Sequence, residues 1–161
     1  MTSEPHPTPA LEAAARLRRE IREALVAFEG ALASPIGDRV TWHAEVTDAL
    51  EVLGHAFEDH VAATEARGGL YDEMRDTAPH LGTKSGRLRE EHPAITAALI
   101  EASVRLAALA TNAADADAAD ADAARDELQR LMGRIVRHRQ HGADLVWEAY
   151  AIDIGDIGDA G

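Results

Sequence analysis

Cysteine is absent from this 161-residue chain, which removes disulfides, thiolate metal sites and cysteine catalysis together. Aromatic residues make up only 4%, and no stretch of Val, Ile or Thr alternates strictly with polar residues, so no strand is expected. Basic charge is also scarce: the formal net charge is −13, which argues against a nucleic-acid partner and disfavours anionic membrane surfaces. Uninterrupted apolar runs fall short of the roughly 18–20 residues of a membrane span. The segment Met1 to Pro9 is polar and proline-rich with no apolar stretch, so a cytoplasmic protein is expected. Lys84 is the lone lysine, and the heavy use of arginine hints at a high-GC bacterial genome. Motifs for phosphate loops, GxxxxGK[ST] or GxGxxG, are missing as well.

What is present is helical. Hydrophobic residues reach 46%, and Ala, Leu, Glu and Arg, all strong helix formers, dominate. Four amphipathic stretches emerge. Helix A is expected from about Pro9 to Ala33, with Leu11, Ala14, Ile21, Leu25, Phe28 and Leu32 on one stripe. Asp38 is placed to cap helix B, which runs to Ala66 and stops at Gly68-Gly69. Its stripe reads His43, Val46, Leu50, Leu53, Phe57, His60, Thr64. A short amphipathic turn covers Leu70 to Ala78. Helix C, about Gly82 to Ala110, carries Leu81, Ser85, Leu88, His92, Ile95, Leu99, Ala102, Leu106 and Leu109 on its stripe, with Pro93 as a kink or a restart.

Residues 112–124 form an Asp/Ala tract, read as a solvated turn leading into helix D; it lacks the Gly and Glu of a calcium loop. Helix D runs to about Ile152 with Ala124, Leu128, Leu131, Ile135, His138, Gly142, Leu145, Ala149 and Ile152 inward. The expectation is one all-α domain over residues 9–153, an up-down-up-down four-helix bundle. A disordered arm (1–8) and a flexible acidic tail (154–161) flank it.

Three histidines stand out because each replaces an apolar residue in the middle of a different stripe. Measured from the end where helix B starts, His60 lies about 22 residues in, His92 about 19 and His138 about 20, so at 1.5 Å per residue their depths agree within about one turn. A buried imidazole without a partner costs roughly 1–3 kcal/mol. Convergence of His60, His92 and His138 on one layer therefore suggests a metal ion, with Zn²⁺, Fe²⁺ and Cu²⁺ all suited to imidazole ligands. Glu65, Glu91, His141 and Asp144 are candidates for additional ligands or for carboxylates that orient the rings. The competing reading keeps the three histidines neutral and structural, bonded to nearby acids. His43 reads as structural, and His55 and His80 as surface residues.

The segments FEDHVAATE around His60, LREEHPAI around His92 and VRHRQHGADLVWEAY around His138 resemble the hemerythrin-like (HHE cation-binding) family, over about residues 10–153. That resemblance implies a four-helix bundle holding two irons through five histidines and two bridging carboxylates, in proteins that bind dioxygen or sense iron, oxygen or nitric oxide. Several family positions differ here. Ala14 or Arg18 stands where helix A should offer a histidine, and His60 is followed by Thr64, with Glu65 one place late. Leu88 replaces one histidine of helix C, and Ala143 precedes Asp144, also one place late. Three of seven ligands match in place. The resemblance then implies one transition metal, iron by preference, zinc or another divalent ion as alternatives. A modified diiron pair would need Glu65, Asp144 or His141. Dioxygen or another diatomic would be the small partner. A metal-free regulatory or ligand-binding bundle is the alternative, with Trp147, Tyr150 and Ile154 as its apolar contact surface. An enzyme using Tyr71 or Tyr150 as proton donor stands third, without an identifiable substrate.

Overall fold

The computed structural model describes residues 7–36, 38–111 and 118–155 of the chain, without the side chains of 118 and 151–155. Among these residues the secondary structure is helical throughout, with no strand. The elements are α1 (Pro9–Ala33), α2 (Arg39–Glu65), a short α3 (Leu70–Thr77), a 3-10 turn (Pro79–Leu81), α4 (Gly82–Thr111) and α5 (Ala118–Gly155). The four long helices pack α1 on α2, α2 on α4, α4 on α5 and α5 on α1, an arrangement compatible with a four-helix bundle.

Local chemistry sets the boundaries. Thr8 caps α1 by accepting from Leu11 N at 3.2 Å, and Pro9 occupies the first helical position, where its missing N–H costs nothing. Asp38 accepts from Val40 N and Thr41 N at 3.1 and 3.3 Å and so begins α2. That helix ends one turn before Gly68, the one described residue with positive φ, at 74°. Pro93 lies inside α4, which continues through it as one helix. α5 starts at Ala118, so residues 118–124, expected as a turn, are already helical. The high helix propensity of Ala, with Asp120 in the first turn near the positive end of the dipole, accounts for the earlier start. The expectations for residues 1–6, for 112–117 and for the tail from 156 lie outside the described residues.

Buried apolar residues form two clusters. The larger runs from Trp42 and Leu106 to Ile21, Phe57, Ile95 and Ile135; the smaller joins Ala14, Leu88 and Leu145 to Leu70 and Met74 of α3. His60, His92 and His138 occupy the layer between them by position in sequence, each one turn beyond or before a residue of the larger cluster: Phe57, Ile95 and Ile135. Trp42, Leu17 and Ala24 are buried without having been expected, because a helix packed against two neighbours buries more than one narrow stripe.

The segment Pro79–Thr111 holds an 18-residue window of mean hydropathy 1.5, only 17% buried, and is long and apolar enough to cross a membrane by length and composition. Between His92 and Thr111 only Glu101 and Arg105 carry charge; they break the apolar run without lowering its mean hydropathy much. Ile100 and Val104 are exposed on this helix, at 61% and 63%.

The connection at Gly68-Gly69 admits little else. A Cβ on Gly69 would stand 2.4 Å from Ala63 O and 2.8 Å from Ala66 O, both backbone atoms that cannot swing aside. Gly69→Ala is therefore expected to destabilise the protein by about 1–3 kcal/mol, the usual range for overpacking. Urea denaturation would check it, and an unchanged midpoint would show that the α2–α3 connection is looser than described.

Candidate metal centre

Three helices each deliver one imidazole to a common interior point. His60 comes from the last turns of α2, His92 from α4 immediately before Pro93, and His138 from the middle of α5. They are 9%, 1% and 3% exposed. Ring centroids lie 5.3 Å apart for His60–His92, 5.5 Å for His60–His138 and 4.9 Å for His92–His138. One ligand nitrogen of each falls within 4.8 Å of those of the other two. Phe57 packs against all three rings, with centroids 5.7–5.9 Å away. Tyr71 of α3 stacks on His92 from the opposite end at 5.9 Å.

Two carboxylates orient the rings. His92 Nδ1–H donates to Glu65 Oε1 at 2.6 Å, and Glu65 is also held by Arg89 Nε at 3.2 Å. His138 Nδ1–H donates to Glu91 Oε2 at 2.8 Å. With Nδ1 protonated, each neutral ring turns its Nε2 lone pair to the shared space. His60 Nε2 lies 3.4 Å from His138 Nε2, and Tyr71 O–H reaches His92 Nε2 at 3.5 Å. Metal–nitrogen bonds of about 2.0–2.1 Å at tetrahedral angles separate ligand nitrogens by about 3.4 Å. The His60–His138 spacing meets that value, and the widest spacing in the set exceeds it. Closure on an ion therefore needs a small inward movement. His60 Nδ1 is buried and has no hydrogen-bond partner.

Electrostatics favours neutral, ligating rings. Burial, then the neighbouring His92 and His138, pushes the His60 pKa down to about 3. His138 is lowered too, chiefly by burial and against the pull of Glu91. The Tyr71 hydroxyl is raised well above its ordinary range by burial and by the Glu65 charge, so it stays protonated.

The remaining candidates fall elsewhere. His141 is exposed, and Asp144 is exposed with Oδ1 accepting from Gln140 Nε2 at 2.9 Å; neither joins the histidine layer. Thr64 turns its hydroxyl back to His60 O at 2.7 Å. His43 Nε2 meets Leu106 O at 2.6 Å and ties α2 to α4 far from the layer, while His55 is exposed between Glu51 and Glu58. Tyr150 donates to Glu73, and Trp147 is 74% exposed. Sequence reasoning named Tyr71 as a candidate proton donor and Arg18 at the level of the site, but not the stacking of Tyr71 on His92, Phe57 against the rings or Arg139 beside them. A stripe read one helix at a time gives no signal for such partners.

Comparison with known proteins found no matching family model, no matching curated protein and no matching solved structure.

The pKa shifts set a pH dependence. In the unfolded chain an imidazole titrates near 6.5, whereas His60 in the fold stays neutral to about 3. Between those values only the unfolded state takes up the proton, so stability is present above 6.5 and is lost as pH falls toward 3. The slope is up to about 1.4 kcal/mol per pH unit for each such group. Metal-free protein is expected to denature at lower urea at pH 5 than at pH 7.5, with His60→Gln flattening that difference. Equal pH dependence in the variant would count against burial of a neutral His60.

Proposed function

We propose that this chain is a hemerythrin-like metal-binding protein that holds one transition metal ion through Nε2 of His60, His92 and His138 in an up-down-up-down bundle. The observation that carries this is the convergence of three buried imidazoles from three helices, with ligand nitrogens within 4.8 Å. Two of these rings are already oriented by carboxylates at Nδ1. Three imidazoles leave a coordination position open, which suits binding of a small molecule. Iron, with a role in iron or oxygen binding or sensing, is the reading the family resemblance favours; zinc or another divalent ion suits the same donors.

One ion fits these side chains better than two. Glu65 and Glu91 are engaged at the outer nitrogens of His92 and His138 instead of reaching between two ions. α1 offers Ala14 and Arg18 in place of a donor. When bound, the ion would supply Lewis acidity, and in the case of iron an electron, at the open position. The chain itself supplies walls from Phe57 and Tyr71 and fixes the ring tautomers of His92 and His138 through Glu65 and Glu91.

A metal-free module is the second reading, and one observation favours it. With His60 Nε2–H donating to His138 and Tyr71 O–H donating to His92, every inner nitrogen has a partner without an ion. Untagged protein reconstituted with Fe²⁺, Zn²⁺, Mn²⁺ or Cu²⁺ separates the two. The expected result is about one bound ion per chain and a gain of about 2.7 kcal/mol in stability at a free metal concentration 100-fold above the Kd. Glu65→Gln and Glu91→Gln should each weaken metal binding by about 10–100-fold. No stoichiometric metal, with melting unaffected by chelator, would leave the metal-free module.

A further inference from the structure

Most exposed apolar side chains of this protein stand singly among charges, as Val26 does beside Arg22 and Glu23 on α1, and Val52 beside Asp48 and Glu51 on α2. The outer face of α4 differs. From Pro93 to Thr111, about 27 Å of helix at 1.5 Å per residue, it carries only two charges, Glu101 and Arg105. Ile100 and Val104 project from its middle, each with more than half of its surface in water. Open grooves run along both flanks. One, against α2, is lined by Val61, Pro93, Thr96, Ala97 and Ile100 among others. The other, against α5, includes Ala98, Ala102 and Leu128.

The exposed residues follow a pattern. Pro93, Ala97, Ile100, Val104, Ala107 and Thr111 alternate spacings of four and three, the seam of a helix that packs lengthwise against another. All six are exposed, whereas the stripe of Leu88, His92, Ile95, Leu99 and Leu106 on the same helix is buried in the bundle. α4 thus has two apolar faces, and its own chain covers one.

Charge selects the partner. Each copy of the chain has a net charge of −13, so contact between copies brings acids together over most of the surface. The α4 face avoids this. Its spacings read the same in both directions, so a second copy turned end over end about Ala102 presents the same seam. Ile100 then meets Val104, Ala97 meets Ala107 and Pro93 meets Thr111. Glu101 and Arg105 stand on either side of Ser103, one residue from that midpoint, so each lies near its opposite on the second copy. A parallel pair would set Glu101 against Glu101 and Arg105 against Arg105. Arg105 already holds Glu127 of its own chain at 2.6 Å, and a guanidinium has donors for a second carboxylate. A lipid surface offers no such match, and an anionic one repels this chain.

We infer that the outer face of α4 docks against the same face of a second copy of this chain, the two helices antiparallel about a two-fold axis near Ala102, with Ile100 against Val104 and Glu101 against Arg105. One helix pair is small for a permanent interface, so the dimer is reversible. Salt screens the repulsion between the remaining surfaces and strengthens it.

Sedimentation velocity of the full chain over a range of concentrations tests this. A monomer–dimer equilibrium is expected, with more dimer at physiological than at low sodium chloride. Val104→Glu, at an exposed position, should leave far-UV dichroism unchanged and weaken dimerisation at least about 10-fold, the scale for losing burial of one apolar side chain. Glu101→Arg should weaken it about 5–30-fold by turning two attractions into repulsions. Adding Arg105→Glu to that chain should restore it. The protein has no cysteine, so a nitroxide on Thr111→Cys reports the orientation alone. Its partner should lie near 27 Å, about 18 residue steps, in the antiparallel pair and much closer in a parallel one. A chain monomeric at every concentration and salt, a dimer indifferent to Val104→Glu, a double charge variant no better than Glu101→Arg, or a short nitroxide distance would each overturn the proposal. Flotation of monomer with phosphatidylcholine vesicles, abolished by Val104→Glu, would assign the face to lipid and overturn it likewise.

Discussion

Three imidazoles enclosed between two apolar clusters form the constraint on which this structure turns. A charged ring there would sit in low dielectric among its like neighbours. Burial therefore holds His60 deprotonated down to about pH 3. A neutral ring still needs a partner for each nitrogen. The remaining polar chemistry near the layer follows from meeting that demand: Tyr71 and the two carboxylates serve it directly, and Phe57 fills the space where no further partner is needed.

The carboxylates meet it in a stepwise pattern around the bundle. Glu65 on α2 serves His92 on α4, and Glu91, the neighbour of His92 on α4, serves His138 on α5. Each acid thus sits next to or near one site histidine in sequence but orients the ring of the following helix. This pattern also stitches α2 to α4 and α4 to α5 through the layer where apolar packing is interrupted. The series stops at His60. No acid reaches its Nδ1, and the side of the layer nearest α1 carries arginines instead. The site is consequently asymmetric, negative where α4 meets its neighbours and positive where α1 meets α5.

Much of the architecture could be read from periodicity. The bounds of α1 were expected to the residue, Asp38 caps α2 as its side-chain chemistry suggests, and the three histidines share a depth that counting residues along each helix already implied. Other features follow from relations between helices, which a single stripe does not contain. Glu65 sits beside His60 in the primary structure, yet its partner is His92, because the end of α2 lies against the middle of α4. Asp144 and His141 are near His138 in sequence but fall on the solvent side of α5, one or two turns away and out of phase. Tyr71 belongs to a short helix whose docking is set by Leu70 and Met74 and by the backbone approach at Gly69. None of that is visible in spacing alone.

The α1 side also bears on how many cations such a centre would hold. Where a second metal would need a donor, Ala14 has no ligating atom and Arg18 brings a permanent positive charge close enough to His60 to oppose its protonation. The same charge opposes any cation near His60, so a second ion would meet Arg18 and the first ion together, and the Coulomb energy scales with charge. Arg139, on α5, acts in the same sense on Arg18. Glu65 and Glu91 carry the opposite charge, but their oxygens are engaged at the outer nitrogens of His92 and His138. A single ion in this layer would thus follow from where charge is placed around it.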